Sequence, residues 1–163
     1  MKNVLILGIA FLFLSVLART TSAAPVRVSS STQLPFKVKG TLQSTETYFM
    51  DMPLMSVTAS GSGQATQLGS FTFQYKGQVN LLDLSGVSSV HFMAANGDSL
   101  YANVAGQALE SGTPNVYNVV EIYKITGGTG WLTNASGTLT VHRVSNTTTG
   151  YTSGTLEGII LIP

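Results

Sequence analysis

The chain has 163 residues, a formal net charge of +1 at pH 7 and no cysteine. The missing cysteines exclude a disulfide framework, thiolate metal ligands and a thiol nucleophile. Only 9% of the residues are charged and none form a basic run, so the chain lacks the positive surface that nucleic acids or anionic membranes attract. We therefore predict no nucleic-acid partner.

The first residues have the features of a secretory signal peptide. Lys2 precedes an apolar run over residues 4–17, and small residues follow through Thr21-Ser22-Ala23. This run is shorter than the roughly 20 residues that a membrane-spanning helix needs. We predict cleavage after Ala23, a secreted or periplasmic product, and no stable membrane anchor after cleavage.

The rest of the chain has the length of one domain. Without residues 1–23 it keeps six basic and seven acidic side chains, so its net charge becomes about −1. Residues 24–34 are rich in serine and predict a flexible leader. Residues 35–163 predict a single domain, long enough to form a core without crosslinks.

Alternation of apolar and polar residues predicts an all-β fold. Phe36, Val38 and Leu42 share one face of the first segment, and the same face continues to Glu46 and Tyr48. Helical spacing of apolar residues is missing after the signal. The other predicted strands cover about 54–60, 68–80, 86–95, 98–109, 115–126, 135–144 and 152–162.

Turn residues and strand number favour a closed sheet. Asn96-Gly97 predicts a tight hairpin with a type I′ turn between two of the strands. Eight strands predict an antiparallel β-barrel, up-and-down or nearly so, with a two-sheet β-sandwich as the alternative. Closure suits an exported domain without disulfides, because a barrel has no unpaired edge strand.

One segment carries a resemblance to a known family. Residues 125–137 combine a strand, Gly127-Gly128-Thr129-Gly130, Trp131, and Ala135-Ser136-Gly137. This order resembles the barrel-closing motif of the allene oxide cyclase and dirigent-protein superfamily. Segments 63–71, 92–100 and 153–160 resemble exported bacterial members, so that the resemblance covers about 36–162.

The resemblance implies an eight-stranded antiparallel barrel with a central cavity for a hydrophobic small molecule. Members of the superfamily cyclise reactive lipids, steer the coupling of phenols or cyclise natural products, and the resemblance implies no cofactor. The chain departs from the family pattern at two positions: the resemblance would imply a histidine where Gln67 stands and a basic residue where Leu132 stands. None of the catalytic residues of the plant members matches a motif here, so the resemblance transfers the fold and not the activity.

Two carboxylates are the candidate catalytic residues. Glu46 shares its strand face with apolar side chains, and Glu121 shares one with Tyr117, Val119 and Tyr123. A carboxylate inside a barrel could act as general acid or base. The alternatives are that Glu46 lies at a solvated rim and that Glu121 points outward.

Aromatic residues are the candidate ligand contacts, with core packing as the alternative. Those proposed for a ligand are Tyr48, Tyr75, Tyr123 and Trp131. His91 and His142 have no carboxylate at short spacing, so we predict no metal site.

Three functions agree with the sequence. The first is binding of a hydrophobic small molecule, the second is a cofactor-free cyclase or isomerase that uses Glu46 or Glu121, and the third is a structural or envelope-associated interaction module. The sequence leaves open whether the protein is an enzyme.

Overall fold

The computed structural model describes residues 33–163, which form eight β-strands and one short helix. The predicted signal peptide over 1–23 lies outside the described residues, as does the predicted leader except for its last two positions. Leu34, the last of these, already belongs to the first strand. The strands are β1 Leu34–Asp51, β2 Leu54–Ala65, β3 Gly69–Asn80, β4 Ser85–Ala94, β5 Ser99–Glu110, β6 Val116–Gly128, β7 Ser136–Asn146 and β8 Tyr151–Ile162.

The strands form a closed barrel in chain order. Each strand pairs antiparallel with the next, and β8 pairs with β1 from Leu34↔Ile162 to Thr45↔Tyr151. Both edges of every strand are therefore paired, which confirms the up-and-down barrel and excludes the sandwich. The helix is one 3₁₀ turn, so no helix in the described range 33–163 is long and apolar enough to cross a membrane.

Aromatic rings fill the middle of the barrel. Alternation places Phe71 and Phe73 of β3 inside, where both contact Phe92 of β4, with ring centroids 5.4 and 5.9 Å away. Gly61 on the neighbouring strand leaves room for one of them, because a Cβ there would lie 2.7 Å from the Phe73 ring. These rings separate the two ends of the barrel.

One end, here called the closed end, is sealed by the connection between β6 and β7. The 3₁₀ helix Gly130–Leu132 folds across it and buries Leu132 completely. Asp98, in the β4–β5 connection, accepts a hydrogen bond from the backbone N–H of Trp131 at 3.4 Å. The glycine-rich motif thus joins two strands and closes the barrel with an apolar side chain.

The predicted hairpin at Asn96-Gly97 is present, but its turn type was predicted wrongly. Gly97 has a φ of 89°, whereas Asn96 does not have the positive φ that a type I′ turn requires. The Gly97 N–H donates to the Ala94 carbonyl and the Ala94 N–H donates to the Asp98 carbonyl, both at 2.9 Å. This is the longer hairpin in which glycine follows a type I turn.

Candidate functional site

The opposite end, here called the open end, contains a cavity of about 240 Å³. It is surrounded by the β1–β2, β3–β4, β5–β6 and β7–β8 connections. Its walls are largely apolar and include Met50, Met55, Val57, Val79, Leu81, Leu84, Ala108 and Val119. Its polar lining includes Glu46, Tyr48, Tyr75, Tyr117, Glu121, Arg143 and Ser145.

The floor of the cavity is a buried charged cluster, defined here as Glu46, Glu121 and Arg143. Glu121 on β6 and Arg143 on β7 form a two-point ion pair, with Nε to Oε2 at 2.9 Å and Nη2 to Oε1 at 3.0 Å. The remaining terminal nitrogen of Arg143, Nη1, donates to Oε1 of Glu46 on β1. The side chains of Arg143, Glu46 and Glu121 are only 10%, 4% and 3% exposed, so solvent screens these charges weakly.

Hydroxyl groups complete the coordination of both carboxylates. Tyr48 and Ser145 donate to Oε2 of Glu46 at 2.5 and 2.7 Å. Tyr75 donates to Oε1 of Glu121 at 2.9 Å, and Tyr123 donates to its Oε2 at 3.1 Å. Glu121 therefore accepts four hydrogen bonds and Glu46 three, which is how buried polar groups are normally satisfied.

Burial and the charged cluster change the acidity of Arg143 and of the tyrosines around it. Burial and, next, the Glu121 carboxylate raise the pKa of Tyr75 and Tyr123 well above the ordinary value. Burial and the hydrogen bond to Glu46 raise the pKa of Tyr48 in the same way. Burial alone would lower the pKa of Arg143, but Glu121 and Glu46 outweigh it and raise the pKa further. Arg143 is therefore a permanent cation and the three phenols stay protonated at neutral pH.

A glycine makes room for the buried carboxylate of Glu121. Gly106 on β5 lies directly opposite Glu121, and a Cβ at that position would lie 2.6 Å from its Cγ. Gly86 lies beside Gly106 on β4 and also lines the cavity. The lack of side chains at these two positions helps to keep this end of the barrel open.

The predicted site residues are divided between the two ends of the barrel. Glu46 and Glu121 both point inward, which excludes the solvated rim and the outer surface as their positions. Tyr48, Tyr75 and Tyr123 lie around them. Trp131 does not line this cavity: it lies at the closed end, 39% exposed, with its ring edge-on to Phe36 at 6.2 Å.

Arg143 and Ser145 are site residues that the sequence analysis did not identify. Both share the inward face of β7 with Leu139 and Val141, which are completely buried. The same alternation, carried two positions further, would have placed Arg143 inside the barrel. A basic residue on the inward face of one strand, together with acidic residues on the inward faces of two others, was the sequence feature that could have indicated a buried ion pair.

The cluster can orient a polar group, but it is not arranged to bind a metal ion. Its oxygens are occupied by hydrogen-bond donors. In the part of the chain that the structure describes, no three His, Asp or Glu residues are grouped as metal ligands.

Together, these features define a closed eight-stranded antiparallel barrel with a polar floor inside one end. A solved structure of a pterocarpan synthase dirigent protein is similar to it, with a TM-score of 0.58 over 90% of this chain and 99% of that chain. The two sequences are 11% identical, so the likeness establishes a dirigent-like barrel fold and no shared activity. No protein-family model matches the chain, and no curated protein sequence does.

Proposed function

We propose that the protein binds a hydrophobic small molecule in the cavity at the open end. The main support is that an apolar wall surrounds a fully hydrogen-bonded polar floor, the combination by which ligand pockets bind and orient small molecules. The dirigent-like fold agrees with such a role, since the similar solved protein is a pterocarpan synthase. Export, inferred from residues 1–23, would place this binding outside the cytoplasm.

The cavity volume limits the size of the ligand. Its 240 Å³ exceeds the roughly 150 Å³ of a cavity that holds benzene and is below the roughly 300–1,000 Å³ of drug-sized pockets. A molecule of one or two rings, or a short branched chain, fits this space. A long-chain lipid would have to extend through the open end.

A cofactor-free cyclase or isomerase is the second candidate. The observation that favours it is that two carboxylates, rather than one, face the cavity, where either could exchange a proton with a bound molecule. This activity requires that the ligand leaves the cavity chemically changed. Conversion that is lost in Glu46→Gln or Glu121→Gln, while binding is kept, would establish it.

Binding is tested by blocking the cavity. Ala108 lines the cavity near the open end, and Ala105 lies on the outer face of the same strand. We expect native mass spectrometry and a screen of small phenols and terpenoids to find ligands for the unmodified protein and for Ala105→Phe. Binding should be lost in Ala108→Phe. Equal binding by both variants, or no ligand for the unmodified protein, would refute cavity binding.

A further inference from the structure

The charge balance around the cavity points to the chemical class of its ligand. We infer that the cavity prefers a hydrophobic molecule with a protonated amine over a neutral or an anionic molecule of the same size. This inference rests on the proposed binding function and adds the charge of the ligand to it.

The floor of the cavity has more negative than positive charge. Within residues 33–163, Arg143 is the one Lys or Arg side chain that lines the cavity, and it is shared by two carboxylates. The ionised form of each carboxylate is the one that accepts all the hydrogen bonds described above. With both carboxylates in that form and Arg143 positive, the charged cluster has a net charge of −1. Because the cluster is nearly inaccessible to water, a cation on the ligand would interact with it strongly.

The hydroxyl groups of the floor are arranged to accept further hydrogen bonds rather than to donate them. Tyr48 and Ser145 each have one hydroxyl hydrogen, and each directs it to Glu46. Tyr75 directs its hydrogen to Glu121. Only lone pairs of these oxygens remain for a ligand, and Arg143 already uses three of its five N–H groups on the carboxylates. An ammonium group, with three donors and no acceptor, complements this floor.

Surface charges near the open end have the same sign. Asp51, Asp83 and Glu110 are exposed at the strand ends and turns of this end. Lys37, Lys39 and Lys124 lie in the strand halves nearer the closed end, whereas Lys76, on the outer face of β3, is the one exposed Lys or Arg of residues 33–163 in a half nearer the open end. This separation draws cations towards the open end and repels anions, most strongly at low salt.

Three probes of similar size distinguish the effect of ligand charge on affinity from the effect of apolar contact. Phenethylamine, phenethyl alcohol and phenylacetate share one aromatic ring and differ in a cationic, neutral or anionic head. By calorimetry or ligand-observed NMR at pH 7 and low salt, phenethylamine should bind about tenfold or more tightly than phenylacetate. Phenethyl alcohol should lie between them.

A matched pair of variants assigns the preference to the charged cluster. Glu46→Gln removes one negative charge from the floor, and Glu157→Gln removes one from the outer face of β8. We expect Glu46→Gln to lower the affinity for phenethylamine about tenfold relative to the affinity for the alcohol, and an unchanged circular dichroism spectrum to show that the barrel is folded. Glu157→Gln should leave both unchanged.

The possible results distinguish this inference from the binding proposal. If the alcohol or phenylacetate binds most tightly and Ala108→Phe abolishes that binding, the cavity binds ligands but the charge preference is wrong. If phenethylamine binds most tightly and equally well to Glu46→Gln, the preference does not come from this floor and the inference also fails. If none of the three probes binds, both proposals fail for ligands of this size.

Discussion

Removal of the Arg143 charge is expected to destabilise the barrel strongly. In Arg143→Met a side chain of similar length replaces the guanidinium, and two carboxylates that are 4% and 3% exposed lose their shared cation. Breaking a buried ion pair from one side costs about 3–5 kcal/mol, because the remaining charge stays buried without compensation. Against a typical domain stability of about 5–15 kcal/mol, this loss is a large share of the margin and nearly all of it at the lower limit.

Urea unfolding at pH 7, followed by circular dichroism, measures this loss as a lower midpoint. Lys76→Met, which removes an exposed cation from the outer face of β3, should change the free energy of unfolding by less than about 0.5 kcal/mol.

A compensated variant tests the electrostatic reasoning directly. The triple variant Glu46→Gln, Glu121→Gln, Arg143→Met has a neutral floor, and its amide oxygens can still accept hydrogen bonds from Tyr48 and Tyr75. It should be clearly more stable than Arg143→Met alone at pH 7. A triple variant as unstable as the single one, or an Arg143→Met deficit below about 1 kcal/mol, would show that the cluster acts through packing rather than charge.

Two further predictions concern the same end of the barrel. The pKa values of Tyr75 and Tyr123 are raised in the folded protein, so above pH 10 these phenols ionise first in the unfolded chain. Their contribution to the free energy of unfolding is therefore complete below pH 10 and declines as the pH rises above 10. The free energy of unfolding should then fall by up to about 1.4 kcal/mol per pH unit for each tyrosine. Urea unfolding between pH 9 and 11 should show a weaker dependence of this free energy on pH in the double variant Tyr75→Phe, Tyr123→Phe. The exposed Tyr151→Phe should keep the dependence of the unmodified protein. Gly106→Ala would place a Cβ 2.6 Å from Glu121 Cγ and should cost about 1–3 kcal/mol in thermal or urea unfolding. Gly86→Ala, whose nearest neighbour would be 3.3 Å away, should cost clearly less, and equal costs would contradict the role assigned to Gly106.

Alternation along the chain predicted the strands, whereas closure into a barrel rested on strand number, turn residues and the resemblance of residues 125–137 to a known barrel family. Alternation places side chains on opposite faces of a strand, so the inward series Phe36, Val38 and Leu42 could be followed to Glu46 without a structure. The same rule placed Tyr123 on one strand face with Glu121, but it left open whether that face points inward. It works because each strand has one face in the core and one at the surface, and this pattern is local to each strand.

The charged cluster depended on contacts that the sequence does not display. A buried charge is stable only when partners compensate it, and two of the three partners of Glu46 are Arg143 and Ser145, which are 97 and 99 positions away. Without knowledge of that pairing, a solvated rim was the reasonable alternative for Glu46. Arg143 could not be assigned to the barrel interior in the same way, because a buried cation is stable only beside carboxylates that other strands supply.

The sequence by itself therefore determined which residues form strands and which side chains share a strand face, because these properties depend on neighbours along the chain. Only the tertiary structure decided that aromatic rings fill the middle of the barrel and that Leu132 seals one end. It also decided that the other end stays hollow above two carboxylates and one arginine. Those features depend on the volumes and charges that strand closure brings together from distant parts of the chain.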